Sequence, residues 1–415
     1  MNQQRAVITG MGAITCLGLN VPELWEGLVA GRSGIRRITQ FDASPFPCQI
    51  AGEIEGFNPD DYIERKEGRR IPRSAQIALG AATQALQDAR LPHPFADPER
   101  VGVVFGTAIG GLERIDEALQ TLRKDGYGRV NPFTIPSGIP NLASFIVAHR
   151  YQCLGPNSTI TTACATGTQV IGEAAELIRR GAADVVITGG TEALIKDFAI
   201  AGFAAMRALP VNYNELPEAA SRPFDLQREG FVFSEGAGAM VIESLEHARQ
   251  RGAQIYAEIA GHSSSTDAYH MAAPEPQGLG PARAMRWALK DAGLPGEAVD
   301  YINAHGSATP LNDSTETKAI KDVFGEHAYK LAISSTKSML GHAMGASGML
   351  EAIACALTIT AGVLPPTINY ETPDPECDLD YVPNQARPAA VNVALSNSFG
   401  LGGQNACVVI KRYQE

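Results

Sequence analysis

Short apolar segments bounded by glycine alternate with segments of helical periodicity from one end of the chain to the other. Runs of about four to eight residues rich in Val and Ile are typical of buried β-strands. Because few polar residues interrupt these runs, we expect parallel strands in a sheet that is covered on both faces. The ten predicted strands are residues 5–10, 101–106, 158–162, 184–189, 238–243, 255–260, 299–304, 331–335, 391–396 and 407–411.

The ten predicted strands divide into two sets of five, and one long segment occurs twice. Residues 161–181 resemble residues 335–362, since each contains a strand end, a turn rich in Ser, Thr and Gly, and a helical segment. The repeat distance is far too long for a solenoid. The sequence therefore predicts two similar α/β halves packed together, residues 1–252 and 253–415.

Composition narrows the class of protein. The 415 residues are 45% apolar and 19% charged, which fits a compact chain with about two core-bearing units. A net charge of −11 disfavours nucleic acid as the primary partner. Seven cysteines without CxxC spacing disfavour a disulfide framework or a zinc ribbon, and they fit a reducing cytosol.

The sequence predicts neither a secretory signal nor a membrane-spanning segment. The first residues form no basic signal region, and no apolar stretch reaches the roughly 20 residues that a spanning helix requires. We therefore expect a cytoplasmic protein without membrane insertion.

Cys164 directly follows a predicted strand and opens an amphipathic helix. A thiolate at this position meets unsatisfied backbone N–H groups and the positive end of the helix dipole. We therefore expect a lowered thiol pKa and a nucleophile. Most free cysteines are small buried hydrophobic residues, so a structural role stays open on this residue alone.

His305 and His342 each stand in a polar turn that follows a predicted strand. A single histidine in such a turn is more often structural, but ligands bind outside the carboxyl ends of strands in α/β sheets. Two histidines and one cysteine at such positions therefore predict a common site. Lys337, Asp313 and Glu316 lie close along the chain and are candidates to set histidine protonation and position. For Asp313, a solvated charge pair is the alternative.

Residues 396–406 place three glycines around Leu401, which suits close approach of the backbone to a ligand in a mobile segment. An ordinary tight turn between two strands is the alternative. A dinucleotide loop is not predicted, because Gly10 and Gly12 lack a third glycine at the required spacing.

Four motifs together resemble those of the β-ketoacyl-acyl carrier protein synthases, and most of all the elongating type II enzymes of the thiolase-like superfamily. They are TACATG (162–167), NAHGSATPLND (303–313), STKSMLGHAMGASG (335–348) and SNSFGLGG (396–403), and the resemblance covers essentially the whole chain. The family implies a thiolase-like fold with two duplicated halves in a layered αβαβα arrangement, assembled as a homodimer.

The resemblance also implies a reaction. It is the decarboxylative Claisen condensation of an enzyme-bound acyl group with malonyl-acyl carrier protein in fatty acid chain elongation. The enzyme requires no cofactor of its own, and both substrates are carried on the phosphopantetheine of acyl carrier protein.

The resemblance assigns roles to individual residues. Cys164 corresponds to the acyl-accepting nucleophile, and His305 and His342 correspond to the pair that binds the malonyl thioester carbonyl. The backbone N–H groups of Cys164 and Leu401 correspond to the oxyanion hole, and Leu401 with Phe399 corresponds to the gate. Lys337, Glu316 and Asp313 match supporting charged residues, Ile109 matches an acyl-pocket residue, and Ser307 and Thr309 match pantetheine contacts. The basic residues at the position of carrier-protein docking are Arg65, Lys66, Arg69, Arg70, Arg73 and Arg207. A monovalent-cation site seen in some members corresponds to Asn303, Glu351, Ser396 and Asn397.

Three positions depart from the family pattern. Leu401 replaces the usual gating Phe, Gln404 replaces a Thr or His, and Ala272 stands where a pantetheine-contacting Thr is common. Chain-length preference is therefore open, and so is the alternative of a polyketide or aryl-polyene ketosynthase with the same chemistry. A degradative thiolase is disfavoured because Cys407 lacks the CxG context. A non-catalytic chain-length partner is disfavoured by the cysteine and the two histidines.

Overall fold

The computed structural model describes residues 4–415, and each of the ten predicted strands is present in one hydrogen-bonded sheet. Four further short strands form two small two-stranded sheets, β2–β3 and β11–β12. The strands are β1 (Ala6–Thr15), β2 (Arg36–Arg37), β3 (Ile50–Ala51), β4 (Val101–Gly106), β5 (Asn157–Ile160), β6 (Val185–Glu192), β7 (Gly236–Ser244), β8 (Ala257–Thr266), β9 (Tyr301–Asn303), β10 (Ala332–Ser334), β11 (Val363–Leu364), β12 (Arg387–Pro388), β13 (Val393–Gly400) and β14 (Gln404–Lys411).

The large sheet has the strand order β10-β9-β13-β14-β8-β1-β7-β6-β4-β5. Outward from the central pair β1–β8, each half runs through its first, fifth, fourth, second and third strands. The directions also match, because the inner two pairs of each half are antiparallel and the outer two are parallel. The predicted duplication is therefore confirmed in the topology.

The expectation of parallel pairing throughout is wrong for the inner strands. The pairs β1–β7, β1–β8, β6–β7, β8–β14 and β13–β14 are all antiparallel. Helices cover both faces of the sheet, so side chains on both faces are buried whichever way a strand runs. An uninterrupted apolar run therefore reports burial on both faces and not strand direction.

The helices form three layers around the two half-sheets. Helices α7 and α13 contact each other and lie between the half-sheets, α3 and α6 cover the outer face of the first, and α10 with α11 covers the second. This is the αβαβα arrangement that the family resemblance implies. The helices are α1 (Val21–Val29), α2 (Arg65–Gly68), α3 (Arg73–Ala89), α4 (Leu112–Asp125), α5 (Thr134–Gly138), α6 (Leu142–Tyr151), α7 (Thr166–Arg179), α8 (Asp197–Ala205), α9 (Leu245–Gln250), α10 (Leu279–Ala292), α11 (Pro310–Phe324), α12 (Lys337–Leu340) and α13 (Ser347–Ala361).

The two central helices cross at glycines. A Cβ atom on Gly167 would lie 2.6 Å from the backbone nitrogen of Met349, and one on Gly348 would lie 2.5 Å from that of Thr168. Side chains other than hydrogen are therefore excluded at both positions. The two helices meet backbone to backbone at this contact.

Each central helix starts from the same kind of strained turn. Short 3₁₀ turns at Ala163–Ala165 and Met344–Ala346 precede α7 and α13. Their first residues, Ala163 and Met344, have φ angles of 50° and 42°, a left-handed conformation that costs non-glycine residues about 1–3 kcal/mol. The sequence match between residues 161–181 and 335–362 thus corresponds to a turn that is built twice.

The segment Met344–Ala361 is 18 residues long and apolar enough to span a membrane by length and composition, but 83% of it is buried inside the molecule. It contains α13, whose position between the half-sheets explains the composition.

We propose the boundary between the halves at residues 252 and 253, in the connection between α9 and β8.

Candidate active site

Cys164, His305 and His342 meet in one buried site. The sulfur of Cys164 and one ring nitrogen of each histidine all lie within 4.8 Å of one another. The two imidazole rings are 5.4 Å apart between centroids and almost perpendicular. Cys164 follows β5, whereas the histidines follow β9 and β10, so the two halves supply different parts of the site.

A cavity of about 430 Å³ leads from these three side chains to the surface. Ser307 and Thr309 lie on its wall with their hydroxyl oxygens 3.0 Å apart, and Ala272 and Arg207 also line it. Ile109 lies outside the lining, although it packs against the apolar cluster that includes Cys164. The cavity therefore offers one entrance to the thiol and to both imidazoles.

The thiol of Cys164 is less acidic than the sequence predicts. Burial raises its pKa from 9.0 to about 11, although the backbone N–H groups of Leu401 and Cys164 and the charge of Lys337 act in the opposite direction. Cys164 does precede the first turn of α7, as expected. The expectation of a lowered pKa is wrong because the loss of water around the sulfur outweighs the helix terminus. Near neutral pH the residue is a thiol, so a base must remove its proton.

Both histidines are neutral at physiological pH. Burial, assisted by the positive charge of Lys337, holds the pKa of His305 and of His342 well below the usual 6.5. Nδ1 of His342 lies 3.0 Å from Oγ of Ser347, whereas Nδ1 of His305 has no hydrogen-bond partner among residues 4–415. Two neutral imidazoles beside a thiol provide both a proton acceptor and N–H donors.

Glu316 holds the turn that presents His305. Its carboxylate accepts hydrogen bonds from the backbone N–H groups of His305 and Gly306, at 2.9 and 2.8 Å. Burial raises the pKa of Glu316 to about 7. Gly306 has a φ of 37°, so glycine is needed for this turn.

Lys337 is buried and forms an ion pair with Glu351 of α13. Its charge acts on the pKa values of Cys164, His305 and His342 without occupying the cavity. A buried cation at this place therefore adds to the effect of burial, which is the larger cause of the lowered imidazole pKa values.

Asp313 is fully buried, so its interpretation as part of a solvated charge pair is wrong. The carboxylate accepts the backbone N–H of Phe224 at 2.8 Å and lies 3.8 Å from Arg228. Arg228 also pairs with Asp374 at 2.6 Å and donates to the carbonyl of Thr309. Asp313 is therefore part of an internal ion network that supports the cavity wall from behind.

The glycine-rich turn between β13 and β14 closes one side of the site. A Cβ atom on Gly400 would lie 2.9 Å from the carbonyl oxygen of Thr162 and 3.1 Å from the nitrogen of Cys164. The absence of a side chain thus lets this strand end approach the thiol, and it brings the N–H of Leu401 to the sulfur. Phe399 stacks obliquely on His305, with 5.8 Å between ring centroids.

Four residues of the implied cation site each have a buried side-chain oxygen that lacks a hydrogen-bond partner in the described part of the chain. Buried polar groups are normally hydrogen-bonded, so such a group of atoms requires an explanation. A hard cation prefers an oxygen ligand set of this kind. The residues of the implied cation site therefore fit a cation chemically. The atoms are Asn303 Oδ1, Glu351 Oε2, Ser396 Oγ and Asn397 Oδ1.

Comparison with known proteins agrees with this geometry. Residues 3–248 match the family described as "Beta-ketoacyl synthase, N-terminal domain", and residues 256–371 match "Beta-ketoacyl synthase, C-terminal domain". The chain belongs to the β-ketoacyl synthase family. Its thiolase-like fold is shared with solved ketosynthases.

Several relatives match this β-ketoacyl synthase over its whole length. A "3-oxoacyl-[acyl-carrier-protein] synthase 2" of a Synechocystis species is 49% identical over 414 residues, which cover 100% of this chain and 99% of the relative. The protein of the same name from Coxiella burnetii is 48% identical, with 99% of each chain covered.

Solved structures match equally completely. A ketosynthase from a complex with a type II polyketide acyl-carrier protein has a TM-score of 0.92 and 38% identity, and covers 99% of this chain and 100% of its own. A β-ketoacyl synthase from Burkholderia phymatum has a TM-score of 0.91 and 35% identity, with the same coverage.

The basic residues assigned to carrier docking in this β-ketoacyl synthase are mostly exposed. Lys66, Arg69, Arg70 and Arg207 face solvent. Arg73 does not belong with them, because its guanidinium donates at 2.8 Å to the fully buried carboxylate of Glu235. The structure adds two arginines that were not predicted: Arg114 and Arg129 border a hollow of about 130 Å³ together with Arg69 and Arg70.

Glu192 is a buried residue that the sequence analysis missed. Its carboxylate accepts the N–H groups of Ala108 and Gly345 at 2.8 and 3.2 Å and the hydroxyl of Thr107 at 3.0 Å. It thereby ties the loop after β4 to the turn that carries His342. The sequence feature that could have identified Glu192 is a single acidic residue at the end of an otherwise apolar strand.

Proposed function

We propose that this protein condenses an acyl group held on Cys164 with a malonyl unit delivered by acyl carrier protein, in fatty acid chain elongation. The observation that carries the proposal is the approach of one thiol and two neutral imidazoles within 4.8 Å in one cavity. The names of the full-length relatives support the same reaction and carrier.

The first half-reaction loads the enzyme. A neutral imidazole accepts the proton of Cys164 as the sulfur attacks the acyl thioester, because the free thiol is protonated near neutral pH. The N–H groups of Cys164 and Leu401 then stabilise the tetrahedral oxyanion, where the loss of one such donor typically costs about 2.7–4 kcal/mol. The carrier thiol leaves with a proton, and an acyl-Cys164 thioester remains.

The second half-reaction forms the carbon–carbon bond. Malonyl-carrier protein loses CO₂, and the electron pair of the broken bond forms an enolate whose charge develops on the thioester oxygen. N–H groups of His305 and His342 donate to that oxygen, and two donors of about 3 kcal/mol each would supply about 10⁴-fold. The enolate carbon attacks the carbonyl of acyl-Cys164, and the bond from that carbonyl to sulfur breaks to release the β-ketoacyl product. The Cys164 thiolate then takes up a proton from solvent, which restores the thiol.

Intact-mass measurement of Cys164 acylation, across acyl carrier proteins of increasing chain length, tests this function. Fatty acid elongation predicts loading by saturated chains over a range of lengths, with the Cys164→Ala variant as the blank. Loading confined to polyene or β-keto chains would instead support the polyketide alternative, which is favoured by the structural match to a polyketide ketosynthase. Failure of every acyl group to load would refute both.

The exposed basic residues form the proposed docking surface for the acidic carrier. Reversal of one charge, as in Arg70→Glu, should raise the KM for acyl carrier protein about tenfold at low salt while kcat changes little, because such charges act mainly on association. Arg180→Glu is the matched control, since Arg180 is exposed at the opposite end of α7 from Cys164. Equal KM values for the two variants would place the carrier elsewhere.

We propose a cytoplasmic homodimer in which the two copies meet along the β5 edge. β5 ends the sheet, and apolar side chains of the neighbouring helices are exposed there, including Ile135 and Phe145 at 65% and 51%. An exposed edge strand and an apolar patch are the usual features of an interface. Sedimentation as a particle of twice 44.0 kDa is expected, and a 44.0 kDa particle at micromolar concentration would contradict it.

Asn303, Glu351, Ser396 and Asn397 are proposed to hold a monovalent cation. When bound, the cation would coordinate the buried oxygens that lack protein partners. We expect a higher melting temperature in sodium or potassium chloride than in choline chloride at equal ionic strength, and no such difference in Asn303→Ala. Identical melting of the unaltered protein in all three salts would exclude the site.

A further inference from the structure

Ser347 is the first residue of α13, and its side chain is directed at a histidine of the site. It is buried, and the one hydrogen-bond partner of its hydroxyl among residues 4–415 is Nδ1 of His342, at 3.0 Å. The other ring nitrogen of His342, Nε2, is buried without any partner. The Ser347 hydroxyl therefore bonds to only one of the two imidazoles, at Nδ1 of His342.

This single contact distinguishes the two tautomers of His342. If the hydroxyl donates to Nδ1, the ring proton is on Nε2 and the Ser347 proton has an acceptor. If Nδ1 carries the proton, the Ser347 hydroxyl hydrogen is left without an acceptor, and a buried unsatisfied polar group costs about 1–3 kcal/mol. Nε2 has no protein partner in either tautomer, so the Ser347 hydroxyl determines which tautomer of His342 is favoured.

Resting on the proposed function, we propose that Ser347 is a positioning residue that fixes His342 as the Nε2–H tautomer. The ring then presents an N–H to the thioester oxygen before substrate arrives. His305 has no comparable partner, since its Nδ1 is not hydrogen-bonded within the described residues. The two histidines therefore differ in how the tautomer is set, because the hydroxyl of Ser347 bonds to Nδ1 of His342 and no such group bonds to Nδ1 of His305.

The duplicated turn shows that this use of the hydroxyl is particular to the second half. Thr166 begins α7 as Ser347 begins α13, but the hydroxyl oxygen of Thr166 accepts the backbone N–H of Thr162 at 2.8 Å. In the first half the hydroxyl thus stabilises the turn itself. In the second half the equivalent hydroxyl serves His342.

Nitrogen-15 NMR of histidine-labelled protein tests the proposal directly, because the two neutral tautomers give different ring-nitrogen shifts. The His342 signals are assigned by their loss in His342→Gln. We expect the Nε2–H form in the unaltered protein and a mixture of both forms in Ser347→Ala. Ser347→Thr should restore the Nε2–H form, since threonine fits the equivalent position of the first half.

Activity provides the second readout. Ser347→Ala should lower kcat for malonyl decarboxylation about tenfold with little change in KM, as expected for loss of one buried hydrogen bond behind the donor. Ser314→Ala is the matched control, because Ser314 is buried in α11 and its hydroxyl bonds only to helix carbonyls.

Three outcomes would overturn the assignment: an Nδ1–H form in the unaltered protein, an unchanged tautomer in Ser347→Ala, or equal decarboxylation by the Ala variants of Ser347 and Ser314. An unaltered protein that releases no CO₂ would refute the proposed function instead. The NMR result would still report on the tautomer.

Discussion

Replacement of Cys164 by alanine should abolish condensation but leave the release of CO₂ from malonyl-acyl carrier protein measurable. The thiol is the atom that accepts the acyl group, so its loss should reduce product formation by at least about 10³-fold. The enolate forms at His305 and His342, which this substitution leaves in place. Product is measured by mass spectrometry of the carrier protein, and CO₂ by release of label from the malonyl carboxyl group.

Cys153→Ala is the matched control for this experiment. Cys153 is also buried and free, but it lies outside the cavity. It should retain both reactions. Loss of decarboxylation together with condensation in Cys164→Ala would mean that the sulfur takes part in enolate formation, contrary to the division of roles proposed here.

Replacement of His305 by alanine should remove decarboxylation and condensation together. One lost donor to a developing oxyanion costs about 2.7–4 kcal/mol, so we expect kcat for CO₂ release to fall about 10²–10³-fold. Condensation requires the same enolate and should fall at least as far. Both rates are measured on one preparation of acyl- and malonyl-loaded carrier protein.

A histidine outside the site provides the comparison. Nε2 of His327 lies 2.9 Å from the carbonyl oxygen of Val299, and the residue does not line the cavity. His327→Ala should therefore change melting temperature more than rate. Continued CO₂ release by His305→Ala at the unaltered rate would show that the enolate is stabilised by other groups.

Most of the strands could be predicted because they are covered on both faces, and such burial produces an uninterrupted apolar run. The edge strand β5 is the exception, because its residues are exposed or half-buried. Strand direction could not be predicted, because a parallel and an antiparallel strand that are both buried on two faces have the same apolar pattern. The duplicated segment was visible for a similar reason: the same turn and helix, placed twice in the same surroundings, require similar residues at Cys164 and around His342.

The errors concern properties that depend on distant parts of the chain. The start of α7 is a local signal, but the burial of Cys164 depends on a distant part of the chain, because the end of β13 at Gly400 packs against the backbone of Cys164. Asp313 looked solvated because its partner Arg228 lies in another segment. Ser347 was missed because nothing in the sequence tells which way a hydroxyl at the start of a helix will turn.

The glycine contact between the two central helices sets the distance over which the chemistry operates. Gly167 follows Cys164 by three residues, and Gly348 follows His342 by six, so the crossing lies directly behind the groups that react. The sulfur belongs to one half and the imidazoles to the other. The distance between the nucleophile and the enolate therefore depends on how closely the backbones of the two helices approach each other. Only a hydrogen atom in place of a side chain, at Gly167 and at Gly348, permits that approach.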